Sequence, residues 1–399
     1  RPERPAGVKA KVPQAGKENP GRGRGSMSPS RHRGMQAAPV AVVDQAAAAS
    51  FAADKLAPRV TDAYLNEQTD PEIWAAIIAF SVLTYIVLDG FDLGIGILFP
   101  FFKHEDERTM AMNTVAPIWD GNETWLVMGG GGLLAVFPLA YGVVLNALYV
   151  PIIIMLLALV FRGVAFEFRG KTERWKVLWD TSFFAGSLTA TMAQGAILGG
   201  LLQGPKVEGR VFAGSVWDWA TPFALMTALA LVAGYVMLGA AWLALKADGP
   251  TAEFARRVGR KSLFATILFI GIASLATPLL NPTYYERWFV WPGISLSLVM
   301  PVLVLAAGWA YLRDIKTGAG LQAYLAGMGI FGLCFAGLGL SVAPYIVPHS
   351  ITIRQAAAPE SSLIFLLIGA SFLLPIILAY TAYAYWVFRG KSDIDHHHY

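Results

Sequence analysis

Charged side chains are scarce in this sequence of 399 residues: Asp, Glu, Lys and Arg make up 15%, against 55% hydrophobic residues. With 40 glycines and a positive mean hydropathy, that balance excludes an ordinary soluble globular domain and points to a membrane protein. Cysteine is almost missing. The lone Cys334 excludes a disulfide scaffold, a cysteine zinc site and a thiolate-held iron–sulfur cluster within one chain, and reads as a small core residue. Histidine is missing from every apolar stretch, because all six (His32, His104, His349, His396, His397 and His398) fall in the tail, in connections or at the terminus. A haem inside the membrane would then need methionine ligands, and Met128, Met155, Met192, Met226, Met237 and Met328 read as packing. Neither a cofactor nor a metal ion is expected in this chain. The "GGGG" run at 129–132 follows no strand, so it is not a phosphate loop; close helix approach or ligand passage accounts for it.

Residues 1–70 form a tail of different composition, rich in Gly, Pro and Ala, with eleven Lys or Arg before residue 69 and no apolar run long enough to span. Its composition predicts disorder. It has no convincing signal or transit peptide. An overlong start, with the native one downstream near Met27 or Met35, explains it better than a nucleic-acid-binding arm, and no nucleic-acid partner is expected.

Residues 71–399 read as one polytopic domain. A spanning helix consumes about 20 apolar residues, and apolar stretches place nine candidates at 72–102, 121–141, 142–168, 174–203, 216–246, 259–281, 289–313, 321–347 and 361–389. The expected class is an all-α membrane protein. The connections after helices 1, 3, 5 and 7 and the C-terminus carry fifteen Lys and Arg, whereas the alternate connections carry Lys206, Arg210, Arg287 and Arg354. Positive charge favours the cytoplasmic side, so the N-terminus is expected outside and the C-terminus inside.

Ionisable groups inside spans cost about 2.5–3.5 kcal/mol each at mid-helix, so their placement is informative. They crowd the first four helices: Asp89 and Asp92 in the first, Asp120, Asn122 and Glu123 at the start of the second, Arg162, Glu167 and Arg169 near the end of the third, and Asp180 early in the fourth. With the expected orientation all converge on the inner third of the membrane. Asp89 and Asp92 are three apart and share a helix face, as do Asp120 and Glu123, while Arg162 and Glu167 need not face each other. Asp120 reads either as a helix cap or as a relay group. Glu123 and Asp180 read as interface charges reaching water. Six acids against one intramembrane arginine cannot all be ion-paired, and the pattern suggests a chain of protonatable groups opening to the cytoplasm.

The motifs "LDGFDLGIG" (88–96), "VAPIWDGNETWL" (115–126), "FRGVAFEFR" (161–169), "LLQG" (201–204) and "PIILAYTAYAYWVFRGK" (375–391) occur in an order and spacing that resembles subunit II of the bacterial cytochrome bd-type ubiquinol oxidases. The likeness covers about residues 71–399, and Glu123, where many relatives carry Gln, is similar to the cyanide-insensitive branch. The resemblance implies two four-helix bundles plus one peripheral helix, and a haem-bearing subunit I with haem b, haem d (or a further haem b) and the ubiquinol site. It also leaves room for a small third subunit. It implies a proton-uptake path through Asp89 and Asp120, with Arg162 as counter-ion and Glu167 in place of an Asp; Asp92 and Glu123 are secondary candidates. Trp125 matches a residue lining an oxygen passage in some relatives and reads equally well as core. The implied function is a haem-free accessory subunit of a quinol:oxygen oxidoreductase in the bacterial inner membrane, inactive alone. The rival readings are a proton-coupled secondary transporter and a purely structural anchor for subunit I.

Overall fold

The computed structural model describes residues 70–392 apart from 173 and 319. The expected disordered tail and the terminal histidines therefore lie outside the described residues. Helices dominate: α1 (Asp70–Leu98), α2 (Glu105–Asn113), α3 (Trp119–Val136), α4 (Pro138–Arg169), α5 (Lys176–Gln203), α6 (Pro222–Lys246), α7 (Gly249–Leu280), α8 (Pro282–Phe289), α9 (Gly293–Thr317), α10 (Leu321–Val342), α11 (Ile353–Ala356) and α12 (Glu360–Val387). Two small antiparallel hairpins interrupt them, β1 (Val207–Glu208) with β2 (Val211–Phe212), and β3 (Tyr345–Val347) with β4 (Ile351–Thr352).

Seven of these helices (α1, α4, α6, α7, α9, α10 and α12) are long and apolar enough to cross a membrane by length and composition. The other two long helices, α3 with 18 residues and α5 with 28, are less apolar. The four consecutive glycines and the "DGNET" start dilute α3, and Gly, Ala and Thr dilute α5.

Element ends differ from the apolar stretches for local reasons. Phe137 leaves helical geometry and Pro138, lacking an N–H, starts α4 at its first position, so α3 ends at Val136 rather than 141. Thr221 caps α6, its hydroxyl accepting from Ala224 N at 3.1 Å, so that helix starts at 222 and not 216. The polar "RRVGRK" stretch stays helical, which carries α7 back to Gly249. After Val342 the chain turns into β3 instead of continuing the helix.

Two opposite ends can be distinguished. At one, the basic end, α2 meets the α4–α5 turn through Arg108 and Asp180, 3.2 Å apart. At the same end Trp242 of α6 donates to Thr114 O at 3.3 Å. Lys246, buried at the end of α6, donates to the carbonyls of Phe388 and Gly390 just beyond α12, and Ser392 N donates back to Lys246 O at 3.0 Å. At the other, the hairpin end, Tyr284 of α8 donates to Leu202 O at 2.9 Å, and Arg287 donates to the carbonyls of Leu340, Ser341 and Ala343, which close α10. The non-helical Leu148, with Pro151 just after it, kinks α4 near this end beside a cavity of about 260 Å³.

Backbone-close crossings bring the core helices together. A Cβ on Gly94 of α1 would run into the Tyr235 carbonyl of α6, and one on Gly186 of α5 would lie 2.7 Å from Ala158 O and 3.0 Å from Arg162 N of α4. Small residues at helix contacts are how helices associate where lipid removes the hydrophobic drive. These crossings set α1 against α6 and α4 against α5 at backbone distance.

A buried carboxylate site between α1, α3 and α4

Asp89 sits nine residues before the end of α1, Arg162 seven before the end of α4, and Glu123 in the second turn of α3. At 1.5 Å per residue the first two lie roughly 10–14 Å in from the basic end. Their side chains meet. Arg162 Nη2 is 2.8 Å from Asp89 Oδ1 and also pairs with Glu123 Oε1. The Arg162 side chain is 0% exposed and Asp89 1%, while Glu123 keeps 25%, so of these three side chains only Glu123 reaches the outside. The guanidinium lies 5.7 Å from the Trp119 ring and 6.0 Å from that of Phe166, and these two rings stack at 5.0 Å. Apolar walls and π-faces replace water around the cation.

Asp92, also fully buried, has no ion-pair partner among the described residues. Asn122 Nδ2 donates to its Oδ2 at 2.9 Å and to Leu88 O at 3.3 Å, and Tyr385 of α12 donates to Asn122 Oδ1 at 3.0 Å. A third branch leaves through α1: Gln194 Nε2 of α5 donates to the Tyr85 hydroxyl at 2.7 Å, and the Tyr235 hydroxyl of α6 donates to Gln194 Oε1 at 2.8 Å. Buried polar groups this close, most of them hydrogen-bonded, form one network across six helices.

The candidates read from the sequence divide into two groups. Asp89, Asp92, Glu123 and Arg162 come together. Asp120 is exposed in the first turn of α3, where Ile118 and not Asp120 occupies the cap position. Glu167 is exposed and pairs with Lys171 one turn on, at 3.1 Å; five residues from Arg162 is 140° around the helix, so it faces away from the cluster. Trp125 is buried, edge-on to Phe80 at 5.8 Å, with its indole N–H unpaired. The phenols Tyr85, Tyr235 and Tyr385 and the amide Gln194 escaped the sequence reading. The signals were Gln194, a lone amide in an apolar helix, and Tyr85, one turn before Asp89.

Nearer the basic end a second set of charges ties α2 to the α4–α5 turn. Arg169 Nε is 2.6 Å from Asp180 Oδ1, and its Nη2 is 2.7 Å from Glu105 Oε1, which also meets Lys176 Nζ at 3.2 Å. Burial pushes the Glu105 carboxyl up, but Arg169 and Lys176 outweigh it and hold the group below the ordinary glutamate value. Among the described residues no three His, Cys, Asp or Glu side chains are grouped to hold a metal ion.

Helices long enough to span a bilayer, packed through small residues around acids that share a single buried guanidinium, define a polytopic membrane protein with an ionisable interior. Residues 71–388 match the cytochrome bd terminal oxidase subunit II family, and the chain belongs to it. It is 28% identical over 376 residues to the cytochrome bd-I ubiquinol oxidase subunit 2 of Escherichia coli K12, covering 81% of this chain and 96% of that one. It is also 28% identical, over 340 residues, to the cytochrome bd ubiquinol oxidase subunit 2 of Bacillus subtilis, with 80% and 96% covered. Its fold is similar to that of a chain in the structure of the bd oxidase from Geobacillus thermodenitrificans. That match has a TM-score of 0.67 at 18% identity and covers 81% of this chain and all of the other.

Proposed function

We propose that this chain is the haem-free accessory subunit of a bacterial cytochrome bd-type quinol oxidase and that its carboxyl cluster takes protons from the cytoplasm toward oxygen reduction in a haem-bearing partner subunit. In that complex haem supplies electron transfer and oxygen chemistry, and quinol the electrons. This chain supplies protons at defined atoms. Glu123, partly open, is the entry group beside Arg162; Asp89 is the inner carboxyl; Asp92, held by Asn122, lies one turn away. Asp120 and Glu167, on the outer surface of the chain, are proposed to serve at the entrance, where partner and lipid complete their surroundings. The nine spanning helices of the family arrangement would include α3 and α5, and the basic end would face the cytoplasm with the C-terminus there. Of the described histidines, His104 precedes α2 and His349 lies between β3 and β4, both outside the spanning helices, which supports a haem-free chain.

One observation carries the reading: a carboxylate–guanidinium–carboxylate triad in which one acid is sealed and the other partly open. An intramembrane acid with a route outward is the usual mark of proton transfer. The structural-anchor reading draws on the same triad, because Arg162 joins α1, α3 and α4 as a strut. The two separate on Asp89→Asn in the whole complex: turnover falls under the first and only stability changes under the second. The transporter reading would require transport activity from this chain without a haem partner.

A further inference from the structure

The carboxyl cluster is served by two chains of phenols and carboxamides, and they differ in one chemical respect. In the first, Tyr385 donates to Asn122 Oδ1, and Asn122 Nδ2 donates to both Asp92 Oδ2 and the Leu88 carbonyl. A carbonyl only accepts, so this amide cannot turn over without setting two oxygens against each other. In the second, Gln194 lies between the hydroxyls of Tyr235 and Tyr85. A hydroxyl both donates and accepts, so the Gln194 amide is satisfied in either orientation. Beyond it, Tyr85 Oη accepts from Gln194 and has its own proton to give. It lies next to the Asp89 carboxyl, whose Oδ2 is buried with no aligned donor. A free donor thus stands beside a free acceptor.

We propose that Tyr85, Gln194 and Tyr235 form a reversible hydrogen-bond chain whose direction follows the proton on Asp89, while Asn122 is a fixed donor to Asp92. Gln194 is thereby a positioning residue. With Asp89 ionised, donation runs from Tyr235 to Gln194 to Tyr85 to Asp89. With Asp89 protonated, its O–H donates to Tyr85, Tyr85 donates to the Gln194 oxygen, the amide turns over, and its N–H donates to Tyr235. One proton is gained on Asp89 and every other group keeps its own. With Asp89 ionised every hydroxyl proton of the chain has an acceptor; with Asp89 protonated each oxygen keeps a partner and only the Tyr235 O–H loses its acceptor, so the cost of the protonated form falls on one hydroxyl at the far end of the chain. The groups facing Asp89 are Arg162 from α4, Glu123 from α3, Tyr235 from α6, and Tyr85 and Asp92 from α1, while α5 presents the neutral Gln194. The inference rests on the proton-uptake reading above and adds residues to it.

The test is quinol-driven oxygen uptake by the full complex against pH, in H2O and in D2O, for Tyr85→Phe, Gln194→Leu and Tyr235→Phe, with Asp89→Asn as reference. Tyr85→Phe and Gln194→Leu should keep the haem spectrum of the complex and its KM for quinol. The acid limb of Tyr85→Phe should move about half to one pH unit upward, the size of one lost hydrogen bond to the ionised acid, and in both variants the solvent isotope effect should change. Tyr235→Phe should shift less. Unmoved profiles and isotope effects in Tyr85→Phe and Gln194→Leu, beside a loss of turnover in Asp89→Asn, overturn the reversible chain and leave the proton path standing. Unchanged turnover in Asp89→Asn overturns both. If Gln194→Leu does not assemble, Tyr85→Phe, which removes a single oxygen atom, decides the question.

Discussion

Arg162 Nη2 and Asp89 Oδ1 stand 2.8 Å apart with both side chains closed to solvent, and the same nitrogen meets Glu123. One cation therefore serves two acids, and Asp92, three residues from Asp89, is left with a neutral amide as its partner. Three acids around one guanidinium leave the cluster free to lose or gain a proton without dismantling an ion pair for each acid. That surplus of acids distinguishes it from a simple buried salt bridge and motivates the following expectations.

Asp89→Asn keeps the shape of the side chain and removes its exchangeable acid. In the purified complex it should lower quinol-dependent oxygen uptake by about tenfold or more while the haem spectrum is retained. Asp120→Asn, on the exposed entrance, should lower it less. Wild-type uptake in both would end the relay reading.

Arg162→Leu strands Asp89 and Glu123 without their cation. Breaking a buried pair by removing one partner costs about 3–5 kcal/mol, so the melting temperature of the complex should drop steeply. Arg162→Leu combined with Asp89→Leu should recover part of the loss. Strictly additive losses would show that the two groups are not coupled.

Glycine positions should divide sharply. Gly94→Val drives a side chain into the Tyr235 backbone and should abolish accumulation of the folded chain. Gly130→Ala meets nothing within 4 Å in this chain and should leave its accumulation unchanged, although both glycines lie inside long helices. Western blots of membranes expressing each variant are enough to tell.

Glu105 should make the basic end sensitive to acid. A carboxyl held below its unfolded value contributes stability that is present above the unfolded value and is lost as pH falls through the folded one. Thermal unfolding scanned downward from neutral pH should show the wild type losing stability below the ordinary glutamate range, with Glu105→Gln less affected. The group is partly exposed, so added salt should shrink the difference.

Much of this arrangement was legible in the order of residues, because lipid imposes one rule on every span. Apolar runs marked the long helices, and the rarity of charge singled out Asp89, Asp120, Arg162 and Glu167, with Asp92 and Glu123 in second place, before any contact was known. Helix ends were less visible. Pro138 and the caps at Thr221 and Asn281 act through single backbone groups, which a count of apolar residues does not register. The short α2 and the amphipathic α8 lie outside the long apolar runs. Asp120 and Glu167 looked equivalent to Asp89 in chemistry, and only helix phase sends them outward. The phenols and Gln194 were hidden because a tyrosine in an apolar helix reads as bulk until its hydroxyl finds a partner.

The clasp between Lys246 and the carbonyls of Phe388 and Gly390 has a consequence for biogenesis. These acceptors, together with the Tyr385 hydroxyl that reaches Asn122, are synthesised long after Lys246 and Asn122. A chain terminated before residue 385 carries a buried ammonium without these two carbonyls and an amide missing its donor. The segment after α12 thus completes polar groups laid down much earlier in the chain.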